Sequence, residues 1–448
     1  MAKKEYGWQL GEKPPSIDLH SITKHRVYEE YLCHYIQVLN SNPLIPQFTL
    51  NVIDGFSGGG EYIHPKTGEL YEGSPIRLIK ACEDAEAAIN FQREQKGINQ
   101  LKFKLFRKFY FIEKKKSNFI YLEDCLNKYE FINQYGENII RINSTFTDSI
   151  NNVIADVERQ NNSHRCIFIL DQYGYSEVPF TNIKQIFTRL PNAEIILTFA
   201  TDWLINYMSN EPRFLKGLKK SGLDKELNID DLLEHKLETK EWRGFVQHEL
   251  HRAILNLSGA KHYTPFFIVS AESNRSFWLV HLSNHPRARD VMTQLHWSLK
   301  NHFSHYGGHG FKMFGYDSRN DDAISGIDDL FSNTEFSFDE IANKQTLQSL
   351  VNEMPELIHD SVDGISFGEF YKNVSNSTPA TSEHIRECAE ILIEGKELEI
   401  KSVDGKQRRS AKTIKDTDIV TLPKQGRLIS TDGKSLLELN KMKKEKKK

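Results

Sequence analysis

Apolar and polar positions follow two rhythms along this chain, and the order of those rhythms is that of an α/β sheet. Residues 22–40 carry apolar side chains at helical spacing, which predicts an amphipathic first helix. A short apolar run over 48–54 follows and ends in Asp54, at the head of Asp-Gly-Phe-Ser-Gly-Gly-Gly. Residues 61–72 read as a loop, and Gly73-Ser74-Pro75 then opens a helix, with Ser74 suited to an N-cap and Pro75 to the first helical position. Further strands are expected at 107–113, 138–142, 166–171 and 193–200, separated by helices at about 116–128, 147–159 and 180–190. Such alternation implies right-handed βαβ units in a doubly wound sheet. Two later runs, 265–270 and 276–282, lie only five residues apart and read as an antiparallel hairpin.

The predicted fold is therefore α/β, with a Rossmann-like sheet of five parallel strands plus an antiparallel hairpin, the strand programme of class I methyltransferases. A mostly helical insert is expected at about 203–262. Beyond residue 335 the pattern changes to helices at 337–352 and 366–395, then two short strands around a basic run, which suggests a winged-helix-like module. The expected division is 20–335 for the methyltransferase-like domain, 336–430 for the winged helix, and a basic, disordered tail over 431–448.

Composition narrows this picture. A chain of 448 residues, 39% of them hydrophobic, can bury a full core and hold more than one domain. The formal net charge of −3 gives no global attraction to nucleic acid, so such binding must come from local patches. No apolar run is long enough to span a bilayer and the first residues lack the apolar core of a secretory signal, so the expected location is the cytoplasm. The five cysteines are scattered, with no Cys-x-x-Cys pair and none after a proline. That argues against a disulfide framework, a zinc ribbon and cytosine-C5 methylation. The histidines form no convincing metal set, and no metal site is expected.

Candidate chemistry gathers at the ends of the predicted strands. Gly58 and Gly60 lack a Cβ, so the backbone can turn sharply and approach a ligand closely. Their spacing matches the Phe-x-Gly-x-Gly loop of S-adenosylmethionine (SAM)-dependent methyltransferases more closely than Gly-x-Gly-x-x-Gly. Asp54 is placed toward the methionine end of SAM, with Phe56 packing beside it. Glu113, at the end of the second strand, suits the ribose diol, because a carboxylate accepts from both hydroxyls. Ser144 and Thr145 follow the third strand, where adenine is held. Asp171-Gln172-Tyr173-Gly174 partly matches the motif by which amino-group methyltransferases hold a target amine. Asp171 would orient the amine and Tyr173 would stack on an extruded base. The competing reading makes Asp171 a strand-end cap and Tyr173 a core residue. Arg408, Arg409, Lys412 and Lys415 cluster on the expected wing, where cations can contact phosphates.

Lys24-His25, Asp54–Tyr62, Gly73-Ser-Pro75, Phe111-Ile-Glu113, Asp171–Gly174 and Trp278–His285 with Met292 together resemble the three-Cys-motif partner (TcmP) family over about residues 20–310. The resemblance implies a class I SAM-dependent methyltransferase fold in bacteria, often carried with mobile elements and thus in a setting of phage defence. It also implies a partner, a radical-SAM-like protein with three cysteines. By position it implies cofactor contacts at Asp54, Gly58, Gly60 and Glu113, and an active-site floor at Asp171. Two departures stand out: Gln172-Tyr173 replaces the family's Pro-Phe, and Gly59 replaces its Pro. The expected activity is methyl transfer from SAM to nucleic acid, onto a base amine. The alternative is a non-catalytic adaptor of the same fold that docks a partner protein, nucleic acid or both.

Overall fold

The computed structural model describes residues 6–98, 102–160, 163–238, 242–270, 275–300, 302–304, 309–311, 335–359, 361 and 363–423. The expected tail over 431–448 lies outside them. The chain divides into two compact units, Met1–Leu295 and His296–Lys448.

The first unit is built on seven strands: β1 (Gln47–Asp54), β2 (Lys104–Ile112), β3 (Ile139–Ile142), β4 (Cys166–Leu170), β5 (Ala193–Phe199), β6 (His262–Ser270) and β7 (Arg275–Ser283). They lie in the order β3-β2-β1-β4-β5-β7-β6. The first five are parallel, and β7 runs antiparallel to both β5 and β6. Every residue of β4 and β5 is buried; β4 reads as an unbroken apolar run, and β5 as an apolar run broken by the buried Glu194 and Thr198. Register places Asp54 beside Phe111 and Ile169. The ends of β1, β2 and β4 are therefore nearly level, and the chain emerges there at Asp54, Glu113 and Asp171.

Helices α1 (Leu19–Leu39), α2 (Ser74–Gln95), α3 (Lys116–Lys128), α4 (Phe146–Glu158) and α5 (Phe180–Arg189) surround the sheet, with α1 packed on α2. Pro75 does occupy the first turn of α2, but the N-cap is Gly73 rather than Ser74. The insert is helical in Thr201–Asn206, Pro212–Ser221, Ile229–Glu238 and Trp242–Ser258. Residues 61–72 differ from expectation: they contain a small hairpin, Glu61–Ile63 against Leu70–Glu72, rather than only a loop. Ahead of α1, residues 6–18 form a packed arm in which Trp8 and Ile17 are buried and Ile17 donates its N–H to the Ile63 carbonyl at 3.0 Å.

In the second unit, α6 (Glu340–His359), β8 (Ile365–Ser366), α7 (Phe367–Val374), α8 (Ser382–Gly395), β9 (Glu399–Lys401) and β10 (Ile419–Thr421) follow in winged-helix order. The small sheet runs β8-β10-β9 and is antiparallel. Thr381 caps α8 through a capping box with His384. The unit begins earlier than residue 336, because Phe311 belongs to its core and the Trp297 indole donates to the Pro379 carbonyl at 2.9 Å. Among the described residues no helix is long and apolar enough to cross a membrane. All five cysteines are free thiols, and burial pushes each above its ordinary range.

Candidate active site

The turn after β1 adopts the left-handed conformation at Gly58 (φ 62°) and Gly60 (φ 87°), which favours glycine at both. Gly58 donates its N–H to Glu113 Oε2 at 3.1 Å, so the turn is tied to the end of β2. Glu113 Oε1 accepts from the Lys115 N–H (2.8 Å) and the Asn118 side chain (3.4 Å). Burial raises the Glu113 carboxyl, and these hydrogen bonds oppose the shift. Asp54 is buried and accepts from Ser74 Oγ (2.7 Å) and the Phe56 N–H (3.1 Å). Burial pushes it up to about 7, with the neighbouring Asp171 and Glu113 charges acting in the same direction.

An indole approaches this turn. A Cβ on Gly59 would stand 2.4 Å from the Trp8 ring, and one on Gly58 3.0 Å from it. Trp8 is held there by Nε1 donating to the Glu61 carbonyl (2.6 Å) and by its N–H donating to Asn118 Oδ1 (3.1 Å). Asn118 therefore bridges Trp8 and Glu113. Phe56 is half-buried and stacks on Phe146, with centroids 6.3 Å apart. Ser144 is half-buried. Thr145 is the N-cap of α4, accepting from the Asp148 N–H, so its side chain is engaged in a helix start rather than held open for adenine.

Asp171 emerges next to Asp54, and α1 reaches it. Lys24 Nζ donates to both carboxylate oxygens, at 2.5 and 2.7 Å. Burial would raise Asp171, but the charge and hydrogen bonds of Lys24 outweigh it, with Thr198 and His25 adding to the effect. The carboxyl is held below its usual range. Tyr28 Oη and Thr198 Oγ1 are 3.3 Å apart at the same end of the sheet. His25 is buried against the rings of Tyr28, Tyr62 and Tyr71, and its Nδ1 has no hydrogen-bond partner. Desolvation holds its imidazole neutral, lowering it to about 3. Tyr173 is 40% exposed and so is not a core residue. Gln172 is buried and its Oε1 accepts the N–H groups of Glu177 and Val178, both at 3.0 Å. The side chain thus pins the loop that a proline would stiffen.

Of the four wing cations, Arg408 is engaged elsewhere. Its guanidinium pairs with the buried Asp418 through two hydrogen bonds, at 2.8 and 3.1 Å. Arg409, Lys412 and Lys415 are exposed. On α8, the second helix of the helix-turn-helix, Glu383, Glu387 and Glu394 are exposed, Glu390 is half-buried, and Arg386 is drawn to Asp416 at 2.7 Å. Among the described residues no group of three or more His, Cys, Asp or Glu side chains could hold a metal ion.

Sequence reading missed the roles of Trp8 and Lys24. Lys24 left a trace: it is a cation on the buried stripe of α1, which runs through Ser21, Lys24, Tyr28 and Tyr31. Trp8 left only a lone large aromatic in a polar stretch.

Residues 315–405 match the model of a family described as the GMT-like wHTH domain. The match covers the winged helix from ahead of α6 through β9, and its first part falls outside the described residues. No curated protein matches the chain.

Proposed function

We propose that the first unit is a class I, SAM-dependent methyltransferase of the TcmP kind, with a base amine of nucleic acid as acceptor. The observation that carries this is the register that brings Asp54, Glu113 and Asp171 out along one edge of the sheet beside the Gly58–Gly60 turn. Ligands of open α/β sheets bind at the carboxyl ends of the strands, where the strand order reverses, and here that point lies between β1 and β4. A sheet ordered 3-2-1-4-5-7-6 with its seventh strand reversed fits the methyltransferase arrangement. Fold alone does not assign chemistry, so the reading rests on the three carboxylates.

In this reading Glu113 grips the ribose, Asp54 faces the methionine end, and Asp171 orients the acceptor toward the sulfonium methyl. When bound, SAM supplies an electrophilic methyl group. The chain contributes binding and alignment of the acceptor lone pair, which is worth more here than acid–base chemistry. Tyr173, 40% exposed, would stack on the base.

A second reading is favoured by α8. The second helix of a helix-turn-helix enters the major groove, and a row of carboxylates on it repels phosphate. Glu383, Glu387, Glu390 and Glu394 make α8 better suited to docking a basic protein surface, which leaves phosphate contacts to Arg409, Lys412 and Lys415 on the wing. This is the adaptor alternative, with the radical-SAM-like three-Cys protein as partner.

Both are tested by incubating the purified protein with methyl-labelled SAM and mixed DNA and RNA, then digesting and identifying labelled nucleosides. A labelled nucleoside N-methylated on its base amine is the expected result. No transfer, with a stoichiometric protein partner on purification, would leave the adaptor.

A further inference from the structure

We infer that Lys24 is a positioning residue of the acceptor site: its ammonium sets the orientation and charge of the Asp171 carboxylate and leaves its outward lone pairs for the target amine. This rests on the methyltransferase reading above.

Lys24 lies on the buried stripe of α1, and its side chain is 7% exposed. Its Nζ donates to both oxygens of Asp171. A carboxylate offers about four lone-pair positions; Lys24 takes two of them and the Thr198 side chain engages the carboxylate as well. The Asp171 side chain keeps 23% of its surface exposed, so part of the acceptor capacity remains open. A pair that only stapled α1 to the sheet would gain little over well-packed apolar side chains, because desolvating two charges offsets most of their attraction. The pair stands instead at the carboxyl end of β4, in the crevice where the strand order reverses. The next residue of α1, His25, brings an unpartnered Nδ1 into the same buried cluster. One helix thus supplies a cation that orders the carboxylate and an unpaired nitrogen near it.

The test compares wild type, Lys24→Met and Lys24→Arg for S-adenosylhomocysteine affinity by calorimetry, and for kcat and KM with labelled SAM and the methylated nucleic acid. Lys24→Met is expected to bind S-adenosylhomocysteine within about twofold of wild type while kcat falls by about 100-fold, as for a misplaced catalytic group. Lys24→Arg keeps a charge that pairs bidentately with carboxylates and should recover kcat to within about tenfold of wild type. If Lys24→Met does not fold, Lys24→Gln replaces it with the same expected outcome. Wild-type kcat in the uncharged variant would overturn the inference, as would an equal loss of cofactor affinity and rate. If wild type binds no S-adenosylhomocysteine, or binds it and methylates no nucleic acid, the functional reading fails and the role of Lys24 falls with it.

Discussion

The two ends of the central sheet both carry buried polar clusters, and helix α1 contributes to each. At the carboxyl ends of the strands, Lys24 pairs with Asp171 and His25 lies among tyrosines. At the opposite end, Tyr31 donates to Glu194, with His281 Nε2 3.0 Å from both the Tyr31 hydroxyl and Glu194. The difference lies in what stays exposed. Tyr31, Glu194 and His281 are buried and pair with one another at the start of β5, with the His281 Nδ1 left without a partner. Asp171, by contrast, keeps part of its surface open beside Asp54 and the glycine turn. On the proposed reading, similar polar chemistry serves cohesion at one end and faces a ligand at the other. Position relative to the strand ends separates the two roles better than residue type.

The sharpest way to break this comparison is to remove one carboxylate from each end. Asp171→Ala leaves the Lys24 ammonium buried without its partner and should cost about 3–5 kcal/mol in urea unfolding. Glu194→Gln should cost about 1–3 kcal/mol through lost hydrogen bonds and leave S-adenosylhomocysteine affinity unchanged. A change of affinity in Glu194→Gln would blur the distinction between the ends.

Asp54 offers a pH-resolved version. Its folded-state value is raised to about 7 from the ordinary 3.8. The unfolded chain therefore releases this proton first, and stability falls as pH rises from about 4 to about 7, then levels. Three units correspond to at most about 4 kcal/mol. Thermal unfolding across this range should show wild type losing ground to Asp54→Asn, and parallel curves would mean that Asp54 ionises normally.

The smallest effect concerns the arm. Gly59→Ala sets a methyl against the Trp8 indole and should cost about 1–3 kcal/mol in wild type but little in a Trp8→Ala background. Equal costs in both backgrounds would show that Trp8 does not press on the turn in solution.

Much of the sheet is legible in the sequence, because a buried parallel strand is a mostly apolar run. Cys166–Leu170 shows this directly and Ala193–Phe199 shows it with Glu194 and Thr198 as exceptions, and the carboxylates at 54, 113 and 171 mark where three strands stop. Pairing is less legible. The run over 276–282 predicts a hairpin partner for 265–270, but nothing local says that β7 also adds to β5. Contacts between distant residues are hidden altogether. Trp8 meets Gly59 and Lys24 meets Asp171 across long stretches of chain, and in sequence Arg408 looks no different from Arg409 until Asp418 claims it.

Helix α1 links the two ends mechanically. Lys24 and Tyr31 are seven residues apart, about 10 Å along the helix axis. The Tyr31 phenol is fixed at one rim and the Lys24 ammonium at the other, so the same helix sets both positions. In this fold α1 is one rod that reaches both rims of a single sheet.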